Sequence, residues 1–187
     1  MSRAERMYVA GIAFAGALAC AAIWGLAAGS GSGSFAIRNL ASVPMLVVVS
    51  TLAALPLGML TLRLTTATGR ASDLLVAHSG ATFAGALTML LFAPLVALYQ
   101  FSSAWAGPIV AVLTVVVAFI CGIFVFIRML HKLGAVGSSI VIPVVLLAVV
   151  QVASLAQLAA LAPPIMPTRT TFGHGVDGIG LSSEAIR

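Results

Sequence analysis

Long apolar stretches alternate along most of the chain with short breaks that are rich in glycine, serine, proline or charge. Each stretch is close to the roughly 20 mostly apolar residues that a helix needs to cross a bilayer. The pattern therefore predicts an all-α fold, a polytopic transmembrane helical bundle with about five spans. The predicted spans are residues 7–28, 39–62, 77–98, 108–127 and 137–161.

Two segments differ from the regular spans. The second span contains Pro44 and Pro56, which membrane helices tolerate when neighbouring groups satisfy the freed carbonyls; the sequence leaves open whether it spans fully. Residues 163–187 begin with prolines and continue as a polar, glycine-rich run. We therefore expect a transmembrane domain over residues 1–162 and an extended or disordered C-terminal tail over residues 163–187.

Composition supports a membrane protein and excludes a water-soluble globule. Of the 187 residues, 61% are hydrophobic and only 7% are charged, whereas roughly a quarter of an ordinary soluble domain is charged. Because this small number of charged residues cannot cover the surface of a water-soluble protein, the lipid bilayer is the expected solvent. The net charge of +5 comes from scattered basic residues with no cluster, and nucleic acid is therefore not an expected partner.

The basic residues also predict an orientation, because cytoplasmic loops carry the excess of lysine and arginine. With five spans, six of the nine basic residues fall on one side and three on the other. This split places the N-terminus inside and the C-terminus outside, as in a multi-pass protein of a bacterial inner membrane. The six residues expected inside are Arg3, Arg6, Arg63, Arg70, Arg128 and Lys132.

Motifs for enzymatic chemistry are absent from the sequence. No Asp, Glu, Lys or Arg lies in the central part of a predicted span, although such residues mark proton relays and ion paths. The sequence contains no HExxH, P-loop or GxSxG motif, and its two cysteines lie in apolar runs. We therefore predict no catalytic, cofactor-binding or metal-binding residue, no cofactor, and a protein that is not an enzyme.

Polar side chains within the last span form the main candidate site. Gln151, Ser154 and Gln157 follow one another in steps of three, which keeps them on one broad helix face. They serve either interhelical hydrogen bonds or contact with a polar substrate or quinone. A haem between His78 and His131, both expected at the inner face, requires the two rings to face each other at similar depth.

Small residues recur at a spacing of four, which lets membrane helices approach closely. We expect these pairs to serve packing within the chain first, and contact with a partner or a second copy second. The pairs are Gly11 with Ala15, Gly25 with Gly29, and Ala81 with Gly85.

The region from Leu60 to Val144 carries a family resemblance. It contains LRL at residues 62–64 closing a span, TGRASDLL at residues 68–75, AHSGA at residues 77–81 opening the next span, and FIRMLHKL at residues 126–133. This arrangement resembles the Yip1-like family of small five-span membrane proteins, particularly its bacterial members, although Ala81 stands where that family usually has a proline. The resemblance implies a non-enzymatic scaffold or membrane-organising role, tied in eukaryotic members to vesicle traffic and small GTPases, and it transfers no catalytic residue.

The leading functional hypothesis is a non-catalytic integral membrane protein, a scaffold or accessory subunit of a larger membrane complex. Its expected partners are the lipid bilayer and a membrane protein or a second copy of the chain. One alternative is a transporter or channel component with a polar path on the fifth helix. A further alternative is a haem- or quinone-binding redox membrane subunit.

Overall fold

The computed structural model describes residues 2–65, 71–103, 105–132 and 138–161, and these residues form five helices with no strand among them. The all-α class predicted from the sequence is confirmed. The predicted C-terminal tail lies outside the described residues. The helices are α1 (Arg3–Ala28), α2 (Gly33–Thr65), α3 (Ala71–Ser102), α4 (Ala106–Lys132) and α5 (Ser138–Leu161).

Four helices are long and apolar enough to cross a membrane, and a fifth carries a shorter apolar stretch, Val141–Gln157. The chain is therefore a multi-pass membrane protein by the length and composition of its helices. The α2 helix continues unbroken through both Pro44 and Pro56, and its part Gly33–Thr61 is one of the four.

The α1 helix begins at a capping box. The Ser2 hydroxyl accepts a hydrogen bond from the backbone N–H of Glu5 at 3.2 Å, and the Ser2 N–H donates to the Glu5 carboxylate at 2.8 Å. These two bonds satisfy two backbone N–H groups that a helix start otherwise leaves without partners. The helix therefore begins close to the chain start, with Arg3 and Arg6 in its first turn and a half.

The five helices do not pack in the order in which they follow one another. The α1 helix packs on α2 and α3, α3 packs on α4, and α5 packs mainly on α2. Helices α2 and α3 touch little, as do α4 and α5. Around the bundle the order is therefore α1, α3, α4, α5 and α2, and the contact between α4 and α5 is a weak seam.

Two clusters of buried side chains hold opposite ends of the bundle together. We call the end that contains the beginnings of α1, α3 and α5 the basal end. There, Leu74 of α3 and Leu130 of α4 pack with Leu147 of α5. At the other end, Trp24 of α1 packs among α2, α3 and α4, and its Nε1–H donates to the Thr114 hydroxyl at 3.1 Å.

Small residues bring α3 and α4 close together. A Cβ added to Gly85 would lie 3.0 Å from the carbonyl oxygen of Ala118, and one added to Gly122 would lie 3.2 Å from that of Ala81. The two helix backbones are therefore separated by little more than van der Waals contact. This approach is typical of membrane helices that meet at small residues.

At the basal end, the guanidinium of Arg6 on α1 is paired with the carboxylate of Asp73 on α3. Both side chains are mostly buried. We expect Asp73→Ala to lower the free energy of unfolding by about 1–3 kcal/mol, between the values typical of exposed and buried pairs. Unfolding in mixed detergent micelles, followed by circular dichroism, measures this loss.

Exchanging the two charges provides the control for that prediction. The double variant Arg6→Asp with Asp73→Arg keeps one charge of each sign at the two positions. It should therefore be more stable than either of its two single variants, Arg6→Asp and Asp73→Arg. Equal stability of Asp73→Ala and the unmodified protein would contradict a stabilising role for the pair.

Candidate functional site

A cleft of about 120 Å³ lies within the bundle between α2, α3, α4 and α5. It is partly open, and two of the helices that line it, α4 and α5, have few contacts with each other. Most of the lining side chains are apolar, and none of the described lining residues is an Asp, Glu, Lys or Arg. The polar residues in the lining are Ser50, His78, Thr82 and Gln151.

The cleft exists because the surrounding helices are held apart and carry little side-chain volume. On α3 and α4 the lining includes Gly85 and Gly122, which bring backbones close without filling the space beside them. On the opposite side, α5 is held against α2, where the Leu147 side chain lies against Gly58. The α5 helix therefore does not move in to fill the space next to α4.

His78 is the most distinctive group in the lining. It lies in the third turn of α3, and its side chain is only 2% exposed. The ring of Phe126 on α4 contacts the imidazole edge to face, with centroids 6.2 Å apart and an interplanar angle of 86°. Within the described part of the chain, His78 Nε2 has no hydrogen-bond partner, and a buried polar atom in that state is uncommon in proteins.

The two hydroxyls in the lining are directed to their own helices. The Ser50 hydroxyl donates to the Val47 carbonyl at 3.1 Å, and the Thr82 hydroxyl donates to the His78 carbonyl at 2.9 Å. Such bonds back to the helix are common for serine and threonine and occupy the hydroxyl proton. The donors that the cleft can offer to a bound molecule are therefore the His78 imidazole and the Gln151 amide.

The polar residues predicted on the last span have different surroundings. Gln151 lines the cleft, Ser154 is half-buried outside the lining, and Gln157 is exposed. His131 is also exposed, near the end of α4, while His78 is buried between helices. The structure therefore does not bring the two histidines to face each other across the cleft.

The predicted packing residues also divide between inner and outer faces. Gly25 faces the backbone of α2 at Asn39, and Gly29 ends α1 and lies against the first turn of α2. Ala81 and Gly85 lie at the contact with α4 described above. Gly11 and Ala15, by contrast, lie on the exposed surface of α1.

Sequence reasoning assigned His78 to the membrane interface and did not connect it with Gln151. The two residues belong to different helices, and only the packing of α5 on α2 brings both to one cleft. A histidine within a predicted apolar span is the sequence signal that could have indicated this site. Among the described residues, no group of three His, Cys, Asp or Glu side chains could hold a metal ion.

Comparison with protein-family models, with curated proteins and with solved structures finds no match to this chain. No relative therefore assigns a role to the cleft or to the outer surface of the bundle. What these surfaces can bind follows from the chemistry of the side chains that form them.

Proposed function

We propose that this chain is a non-catalytic protein of a bacterial inner membrane that serves as a scaffold or accessory subunit of a larger membrane complex. In this proposal all five helices span the bilayer, with the N-terminus inside and the C-terminus outside. The described basic side chains support this orientation. Arg3, Arg6, Arg128 and Lys132 belong to the basal end, whereas Arg38 near the start of α2 belongs to the other.

The outer face of α1 is the observation that carries the proposal. No atom of the described chain lies within 4 Å of a Cβ added to Gly11, and Ala15 one turn later is exposed. Large apolar side chains on the same surface, Met7 and Ile12, are also exposed. Gly11 and Ala15 are not covered by another helix within the described part of the chain, so a helix of a partner can approach the α1 backbone closely here.

Charge placement supports a role that does not require ion or proton movement. The described charged side chains lie near helix ends, and Arg6 and Asp73, which are mostly buried, are paired with each other. Coupled transporters need ionisable groups along their path through the membrane. A transport path along α5 is the weaker proposal, because Gln151, Ser154 and Gln157 do not line one continuous space.

Gly11→Leu tests the association proposal. A leucine at this position prevents close approach of a second helix, and we expect the variant to shift from a larger assembly to the single chain. Native mass spectrometry after extraction in mild detergent measures the shift and distinguishes a second copy from a different partner by mass.

Ala153→Leu is the matched control, because Ala153 is an exposed small residue on α5 and the change adds bulk to a different outer surface. It should leave the assembly intact. Equal loss of assembly in both variants, or an unmodified protein that is a stable single chain in mild detergent, would contradict association through α1.

A further inference from the structure

The charge of the cleft restricts the class of molecule that it can hold. Its described lining contains no basic side chain that could neutralise a phosphate or a carboxylate. An ionised head group inside a membrane protein needs such a partner, because the surrounding medium does not solvate charge. A molecule that occupies the cleft is therefore neutral.

Hydrogen bonding restricts the class further. The Nε2 atom of His78 is buried and lacks a partner within the described chain, so a ligand atom that pairs with the imidazole removes an unfavourable state. Gln151 adds an amide donor from another helix. A carbonyl oxygen accepts a hydrogen bond from an imidazole N–H or from an amide NH2. The two groups therefore suit a neutral molecule with more than one carbonyl oxygen.

The position of the two groups indicates how those oxygens are arranged. His78 lies on α3 toward the basal end, and Gln151 lies near the middle of α5, on another side of the cleft. One molecule reaches both when its oxygens project from opposite edges of an apolar body. The aromatic rings of Phe119 and Phe126 and the small residues Gly85 and Gly122 also line this space, which suits a flat ring.

The size and the opening of the cleft select a compact head group with an apolar tail. A volume of about 120 Å³ accommodates a single ring rather than the acyl chains of a whole lipid. The weak seam between α4 and α5 provides a route by which a tail can extend into the bilayer. Hydrophobic pockets with a few placed polar groups are typical of small-molecule sites.

We propose that this cleft is a binding site for a quinone head group that enters from the bilayer through the seam between α4 and α5. One quinone carbonyl accepts a hydrogen bond from the imidazole of His78, and the other accepts one from the amide of Gln151. The proposal concerns binding only, and it does not depend on whether the protein associates through α1.

Nuclear magnetic resonance of the unmodified protein tests this site directly. The chain contains only three histidines, so protein labelled with 15N-histidine in lipid nanodiscs gives three imidazoles to observe. His131→Gln and His174→Gln assign the signals. Addition of decylubiquinone should shift the His78 nitrogen resonances in a saturable way and leave those of His131 and His174 unchanged.

A matched pair of glutamine variants tests the second hydrogen bond. Gln151→Leu removes the amide from the cleft, whereas Gln157→Leu makes the same change at an exposed position two turns further along α5. We expect Gln151→Leu to weaken decylubiquinone binding at least tenfold in the same titration, and Gln157→Leu to leave it unchanged.

Dioleoylglycerol serves as the alternative ligand, because it offers ester carbonyls without a ring. The proposal predicts that it leaves the His78 resonances unchanged. Equal shifts with both compounds would show that the cleft binds an acyl lipid and not specifically a quinone. A shift of the His78 resonances that does not saturate with decylubiquinone, or that all three histidines share, would overturn the site. Equal affinity of Gln151→Leu and Gln157→Leu for decylubiquinone would also overturn it.

Discussion

Replacing Trp24 with alanine is expected to lower the free energy of unfolding by about 3–5 kcal/mol, the range typical of large buried aromatic residues. The Trp24 side chain is only 3% exposed and packs among residues of α1, α2, α3 and α4. Its loss leaves a cavity that α1 cannot fill without losing its contacts with α3. Unfolding in mixed detergent micelles, followed by circular dichroism, measures the change without relying on tryptophan fluorescence.

One further variant shows which property of Trp24 matters. Trp24→Phe keeps an aromatic ring but removes the N–H that donates to Thr114, and we expect a loss of about 1 kcal/mol. Hydrogen bonds between membrane helices contribute on average about 0.6 kcal/mol, and the Thr114 hydroxyl still donates to the Ala111 carbonyl at 2.7 Å. The larger part of the effect is therefore packing.

Trp105→Ala provides the matched control at the same end of the bundle. Trp105 is 72% exposed, so its removal should change the free energy of unfolding by no more than about 0.5 kcal/mol. A similar cost for Trp24→Ala and Trp105→Ala would mean that the cluster around Trp24 does not hold the four helices together.

The sequence predicts the helical class well because the bilayer imposes it. Backbone groups in hydrocarbon must be paired within the chain, so an apolar stretch of spanning length becomes a helix. Hydropathy locates the part of a helix in the bilayer core, and it therefore misses polar turns at helix ends. The α3 helix begins at Ala71, before residue 77, and includes Ser72 and Asp73 in its first turn.

The sequence cannot tell which side of each helix faces the bundle. Lipid tails and the bundle interior are about equally apolar, so no periodic pattern separates them. Trp24 and Trp105 illustrate the problem: no sequence pattern distinguishes the two, yet the first is buried between helices and the second is exposed. For the same reason, the sequence does not show that the His78 side chain is buried between helices.

The candidate site depends on tertiary packing that no local pattern encodes. The cleft forms because α5 packs on α2 rather than on α4, and because glycines line its walls. Helix geometry also explains the separation of Gln151 and Gln157. Six residues at about 100° per residue leave the second side chain about 120° from the first, so one can line the cleft while the other faces outward.

Replacing Gly25 with alanine is expected to lower the free energy of unfolding by about 1–3 kcal/mol, the range typical of added bulk in a packed interior. A Cβ at this position would lie 2.5 Å from the carbonyl oxygen of Asn39 and 3.1 Å from Cγ2 of Val43. The nearest atom belongs to the backbone of α2, so a side-chain rotation cannot relieve the contact. The two helices must move apart where they also pack around Trp24.

Gly11→Ala on the same helix separates this contact from the general preference of helices for alanine. No described atom lies within 4 Å of a Cβ at Gly11, so alanine should raise stability by about 0.5–1 kcal/mol through its lower conformational entropy in the unfolded chain. Both variants are compared in a detergent that keeps the chain monomeric. Opposite signs are expected because Gly25, unlike Gly11, lies against the backbone of another helix. A gain in stability at both positions would show that α1 and α2 do not approach at Gly25 as closely as the small-residue contact requires.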